Sequence, residues 1–283
     1  MKEGIVNRIT IGLFVGSMAV LGITWSLNKV VAQQYTMYLN VLLMFLILPI
    51  AWLVIKKIPA TNIETHKISI SEMVCWFIIC MMGLMAFNLL GHGVSVGVSK
   101  LFGHSKPPSV VASFVNEIPI WFNLLAVVII GPIVEELLFR KIILKRLLPY
   151  GKKAAIIVSA ILFGIYHMNL EQLFYTTFMG LVLGVIMVKT GHIIYPIIIH
   201  MIANFWGGTM PMIFADKLTI LGFCNLMFLV VGLIIVIFKG KSLVKSKNDI
   251  YHTLKLTPKK LFVNWGMLFF FGYWLVSNYR LYK

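Results

Sequence analysis

Acidic residues are scarce in this chain. Asp and Glu together number 9 among 283 residues, and charged residues of all kinds make up 12%. A soluble domain is about a quarter charged and about half apolar, whereas this sequence is 60% hydrophobic. That balance excludes an ordinary soluble globular protein. Cysteine is scarce as well. Cys75, Cys80 and Cys224 all fall in apolar runs without metal spacing, which argues against disulfides and against a redox role. No H-E-x-x-H zinc-protease motif is present, and no cysteine accompanies the histidines. No internal repeat or low-complexity tract divides the chain.

Basic residues are plentiful by comparison. Lys and Arg number 25, and the net charge is +16. In a soluble chain that excess would suggest nucleic acid, but no soluble basic domain is present to carry such a site. The excess fits cytoplasmic loops beside anionic lipid. A membrane span needs about 20 apolar residues. The runs 9–27, 38–55, 73–96, 118–139, 154–168, 172–188, 192–206, 218–238 and 261–278 are the candidates. The first follows Lys2 and Arg8 and is longer than a signal-peptide core, so it reads as a retained helix. Since 154–168 and 192–206 are short, the expectation is an all-α polytopic transmembrane helical bundle of eight or nine spans. It forms a single membrane-embedded domain over 1–283.

The basic loops orient the bundle. Lys56, Lys57 and Lys67 follow the second run. Lys141, Lys145, Arg146, Lys152 and Lys153 separate the fourth from the fifth, and Lys239 to Lys260 separate the eighth from the ninth. With these inside, Gly97–Asn116 lies outside, and the assignment alternates up to Arg280 and Lys283. The tract Lys239–Lys260 is expected on the cytoplasmic lipid surface.

Against this background two adjacent glutamates stand out. Glu135 and Glu136 sit in the fourth apolar run, and Arg140 follows four residues later. A charge at the centre of a bilayer costs roughly 3 kcal/mol even on lenient insertion scales, so such residues mark a functional site by default. Glu136 and Arg140 share a helix face and can pair. Glu135 lies about 100° round the helix and can point elsewhere. Phe163 and His167 have the same spacing on the next run, as do His200 and Asn204 on the seventh. At a rise of 1.5 Å per residue, Glu135 lies about 17 Å from Arg146, His167 about 21 Å from Lys153, and His200 about 12 Å from His192. The three depths can meet within the membrane. A carboxylate beside an imidazole can activate water. A second imidazole with an amide can supply donors to a developing oxyanion. Two His and a Glu, here His167, His200 and Glu135, could also bind zinc.

These residues also carry a resemblance. Gly131-Pro132-Ile133-Val134-Glu135-Glu136-Leu137-Leu138-Phe139-Arg140 resembles the EExxxR motif of the CPBP intramembrane proteases, the relatives of the CAAX prenyl endopeptidases also called the Abi family. Phe163-Gly164-Ile165-Tyr166-His167 resembles their FxxxH motif. His200-Met201-Ile202-Ala203-Asn204, preceded by Tyr195-Pro196, resembles HxxxN. Lys141 stands where many members have Gly. The motif-bearing core covers about 118–206. The resemblance implies an intramembrane endopeptidase in which Glu135 and His167 activate water, and His200 and Asn204 form the oxyanion site. Glu136 would support that site, and Arg140 would hold the carboxylate helix. Both metal-dependent and metal-free glutamate mechanisms have been argued for the family. The implied partners are a peptide or membrane-protein substrate and membrane lipid, with no nucleic acid. Family members act in peptide maturation and in bacteriocin immunity. A chain rich in Lys, Ile and Asn fits the cell membrane of a low-GC bacterium.

Two other classes use the same residue types. One is a non-catalytic membrane immunity or regulatory protein that keeps the fold. The other is a proton-coupled transporter, because intramembrane Glu and His also form proton relays. No pair of matching halves with broken helices favours the latter. Asn88 and His92 repeat the i,i+4 pattern without an acid in the sequence nearby and read as packing. Asn40, Asn123, Asn225 and Asn264 read as contacts between helices or as interfacial residues. Trp121, Trp206 and Trp274 read as interfacial anchors.

Overall fold

The computed structural model describes residues 4–27, 29–32, 35, 38, 39, 42, 43, 45–103, 119–245 and 264–282. Among them there is no strand. In chain order the helices are α1 (Ile5–Leu27), α2 (Ile47–Ile55), α3 (Ile70–Leu101), α4 (Ile120–Tyr150) and α5 (Lys152–Tyr166). They are followed by α6 (Leu170–Thr190), α7 (Ile194–Asn204), α8 (Leu218–Val244) and α9 (Trp265–Tyr282). Each apolar run of the sequence overlaps one of them. The helices α1, α3, α4 and α6 and the segment Ala215–Val244 are long and apolar enough to cross a membrane. By contrast α5, with 15 residues, rises only about 22 Å.

Local chemistry sets the helix ends. Ser69 precedes α3, and its hydroxyl accepts from the Glu72 N–H at 3.2 Å, the first half of a capping box. Asn169 caps α6 by accepting from the Gln172 N–H at 2.9 Å. The last residue of α6 is followed by Gly191 at φ 65°. A side chain there would meet the Glu64 carbonyl oxygen at 2.3 Å, so both conformation and space call for glycine.

The core centres on α6, which packs along α3 and α5, while α8 covers α3 and α1 lies between α2 and α9. A Cβ at position 164 would stand 2.0 Å from Thr177 Oγ1. The absence of a side chain there brings α5 against α6. Lipid supplies no hydrophobic drive between helices, so such close backbone approach matters.

One sequence expectation is corrected here. The basic stretch from Lys141 is not a loop. The helix continues through it to Tyr150 and stops at Gly151, which has φ 98° and comes two residues after Pro149. Basic side chains at a membrane helix end reach the interface and do not break the helix. The Arg146 Nε donates to the Ile55 carbonyl at 3.2 Å, and Thr61 N–H donates to the Lys145 carbonyl at 3.0 Å. His66 N–H donates to the Thr190 carbonyl at 2.7 Å. Lys189 pairs with Glu72 and donates to the Leu243 carbonyl at 2.8 Å. The ends of α2, α4, α6 and α8 and the start of α3 therefore gather at one end of the bundle. The Gly97–Asn116 segment begins with the last turn of α3, and its residues 104–116 lie outside the described set, as do 246–260 and Asn40.

Two further expectations change. Trp274 is buried in the packing of α9, and its ring stacks on Phe271 at 5.5 Å. It is not an interfacial anchor. His92 does have an acid: its Nδ1 lies 3.2 Å from Oε1 of Glu171, brought across from α6. Three of the four asparagines make contacts between segments, Asn40 lying outside the described residues. Asn123 accepts from Thr209 at 2.7 Å, Asn225 accepts from Trp206 at 2.8 Å, and Asn264 faces Thr10 at 3.3 Å.

Candidate active site

The helix that carries the glutamates is not uniformly α. It widens to π geometry over Leu124–Ile130, returns to α over Gly131–Glu136, and widens again over Leu137–Leu144. Such π runs recur at functional sites. Pro132 gives a local reason for a consequence of the first run. Gly131 N–H bonds back five residues to the Ala126 carbonyl. In that register the Val127 carbonyl would take its bond from residue 132, and proline has no N–H. The side chain of Asn204 supplies the missing donor: its Nδ2 donates to the Val127 carbonyl at 2.9 Å.

Between the two π runs stand the acids. Glu136 is fully buried, while the Glu135 side chain is 20% exposed. Arg140 Nε lies 2.9 Å from Oε2 of Glu136 in a fully buried ion pair. Its N–H is not aligned along that contact. The two terminal guanidinium nitrogens have no hydrogen-bond partner among the described residues. The guanidinium instead lies over the Phe163 ring, 4.8 Å from its centroid. The same ring meets Phe139 at 5.0 Å, His167 at 4.8 Å and His200 at 5.8 Å, all edge-on. Phe163 is thus the apolar centre around which the charged groups are arranged.

His200 is buried and spans both acids. Its Nδ1 lies 3.0 Å from Oε1 of Glu136, and its Nε2 lies 3.6 Å from Oε2 of Glu135. The first distance is a hydrogen bond and the second is too long for one. The carboxylate of the Glu136–Arg140 ion pair only accepts, so Nδ1 is the donor in this bond.

His167 ends α5 as its C-cap. Its Nδ1 lies 2.9 Å from the Phe163 carbonyl oxygen, which can only accept, so Nδ1 holds the proton and neutral His167 has a bare Nε2. Glu135 and His200 stand within electrostatic reach of this ring. Met168 follows at φ 51°, a left-handed conformation that costs a non-glycine residue about 1–2 kcal/mol.

The fold therefore brings Glu135, Glu136, Arg140, Phe163 and His200 into direct contact and sets His167 beside them. Asn204 is turned toward α4 backbone. Among the described residues no three His, Cys, Asp or Glu side chains are placed to hold a metal ion. In this arrangement Glu135, His167 and His200 do not make a zinc ligand set, and Glu136 is occupied by Arg140 and His200.

The family model of type II CAAX prenyl endopeptidases, Rce1-like, matches residues 117–206, the segment from the start of α4 to the end of α7. Every residue of the constellation above lies in it. Two relatives extend the likeness. YdiL of Bacillus subtilis (strain 168), a protein classed as a membrane peptidase, is 26% identical over 161 residues, covering 56% of this chain and 64% of its own. CAAX prenyl protease 2 of Arabidopsis thaliana is 28% identical over 161 residues, covering 48% of this chain and 49% of its own. The chain thus spans less than two thirds of either relative. No solved structure matches it at a significant level.

Beside the motif residues stand further groups within and outside the matched segment. Tyr166 packs edge-on between Phe139 at 5.2 Å and His167 at 5.9 Å. Cys80, fully buried on α3, stands within electrostatic reach of the Glu136–Arg140 pair. Nothing in the spacing of α3 signals that approach. Gly93-Val94-Ser95-Val96-Gly97 has the spelling of a nucleophile elbow, G-x-S-x-G. An elbow is a strand-to-helix turn with an exposed Ser. Here Ser95 is buried inside α3.

Proposed function

We propose that this chain is a membrane-embedded endopeptidase in which Glu135 takes a proton from the attacking water. The observation that carries the reading is the division of labour between the two acids. Glu136 is buried and already holds Arg140 and His200. Glu135 is the one of the pair that is partly exposed, and it faces an imidazole nitrogen without being bonded to it. A carboxylate in that position can accept a proton.

The remaining groups take consistent roles. His167, with its bare Nε2, orients the water beside Glu135. His200 is held by Glu136 through its Nδ1–H, so it serves a developing oxyanion from Nε2 only as the doubly protonated ring, with Glu135 and Glu136 beside it to balance the charge, and Asn204 keeps a second N–H that can serve the same oxygen. Water adds to the peptide carbonyl, its proton passes to Glu135, and the proton is then delivered to the leaving amine. Arg140 and Phe163 hold the acids in place. The substrate is a peptide or membrane protein presented within the membrane. Because one relative is named a CAAX prenyl protease, a prenylated C-terminal peptide is the first substrate to try. We place the protein in the cell membrane of a bacterium, in keeping with the Bacillus subtilis relative.

Comparative peptidomics of membranes from cells carrying wild type or Glu135→Gln tests the reading. A set of peptides made only with wild type supports it. Identical peptide profiles, with both proteins present at equal levels, overturn it in favour of a non-catalytic role.

A further inference from the structure

We propose that Asn278, on the last helix, is a positioning residue that holds the turn seating His167. The proposal rests on the proposed role of His167. Asn278 lies far outside the matched segment 117–206 and belongs to none of the three motifs.

The turn needs holding. Between α5 and α6 the chain runs His167, Met168, Asn169, and Met168 has φ 51°. Glycine adopts that conformation freely, and methionine does so only when its surroundings require it. Asn278 is buried against this turn. Its Oδ1 accepts from the Leu170 N–H at 2.7 Å, and its Nδ2 faces the Met168 carbonyl at 3.5 Å. The same amide nitrogen donates to the Trp274 carbonyl at 2.9 Å, which fixes the side chain on its own helix. At the other end of α9, Gly266 N–H donates to the Asn7 side chain at 2.7 Å, so the helix is anchored on α1. The arm anchored on α1 therefore reaches over and holds the strained residue's own carbonyl and the N–H two residues further on. Without these bonds Met168 is free to relax to negative φ. His167, the residue immediately before it, then rotates away from Glu135. Displacement of a catalytic group by about 1 Å can cost on the order of 100-fold in rate.

The test uses the full-length protein purified in nanodiscs with 13C-labelled histidine, the His167 signal being assigned with His167→Gln. Asn278→Leu removes both bonds and keeps bulk. We expect it to shift the His167 resonance and to lower kcat by on the order of 10–100-fold with KM unchanged. Asn278→Asp keeps the acceptor for Leu170 and should retain the wild-type resonance. Asn278→Leu with Met168→Gly should regain it, because glycine holds the turn without the arm. A wild-type His167 resonance in Asn278→Leu overturns the proposal, as does a double variant that fails to recover. If Asn278→Leu alone does not accumulate, the double variant decides: a wild-type resonance supports the proposal, and a displaced one or no accumulation overturns it. Should wild type show no proteolysis, the endopeptidase reading falls, and the His167 resonance still decides what Asn278 does.

Discussion

One carboxylate of Glu136 serves two partners: Nδ1 of His200 lies 3.0 Å from Oε1, and Nε of Arg140 lies 2.9 Å from Oε2. This contact joins α4 to α7 and leaves Glu135 as the partly exposed acid. The two glutamates, adjacent in sequence, thereby differ in kind, and their variants should differ in kind as well.

Glu136→Gln keeps the shape and removes the charge. Arg140 is then a buried cation without a counter-ion, at a cost of about 3–5 kcal/mol. Thermal unfolding in detergent should show a marked loss of stability, partly recovered in Glu136→Gln with Arg140→Met. A wild-type midpoint for Glu136→Gln would show that the pair does not hold the site.

Asn204 should have two separable roles. Asn204→Ala leaves the Val127 carbonyl, a half-buried acceptor, without its donor, at a cost toward the lower end of about 1–3 kcal/mol. Pro132→Ala restores an N–H at the position that the π register calls for. The double variant should therefore be more stable than Asn204→Ala alone. If the second amide N–H also serves the oxyanion, Asn204→Ala lowers kcat by on the order of 10²–10³, and Pro132→Ala does not recover it. Equal stability of the single and double variants would remove the backbone role.

The gathered basic helix ends should face the cytoplasm. Two exposed positions at opposite ends of α8 report it. Ser242 lies at the basic end, and Asp216 precedes the helix at the other. In a background lacking native cysteines, Asp216→Cys should react with an impermeant thiol reagent on intact cells, and Ser242→Cys should react only after lysis. The reverse pattern would invert the topology.

Much of this arrangement is legible in the chain. Long apolar runs place the helices, and i,i+4 spacing alone predicts that Glu136 faces Arg140 and that Glu135 does not. Other features depend on register or on distant segments. Asn204 shares a face with His200, as its spacing requires, yet its acceptor is set by the π geometry of α4, and periodicity at 3.6 residues cannot reveal that. His92 looks isolated because its acid, Glu171, arrives from another helix. The end of α4 is misplaced by a polarity rule, since Arg146 buries its side chain against Ile55 where exposure is expected of it. Asn278 carries no motif at all, and its meaning comes from the strained turn that it meets more than a hundred residues away.

The central claim is that Glu135 does the chemistry and contributes little to the fold. Its most direct test is the turnover of purified Glu135→Gln against wild type, in liposomes, on a substrate found by peptidomics, with thermal stability measured alongside. Loss of a general base costs on the order of 10²–10⁴ in rate. The account predicts a fall in kcat of at least that order with the unfolding midpoint unchanged. Wild-type turnover by a stable Glu135→Gln protein would contradict it.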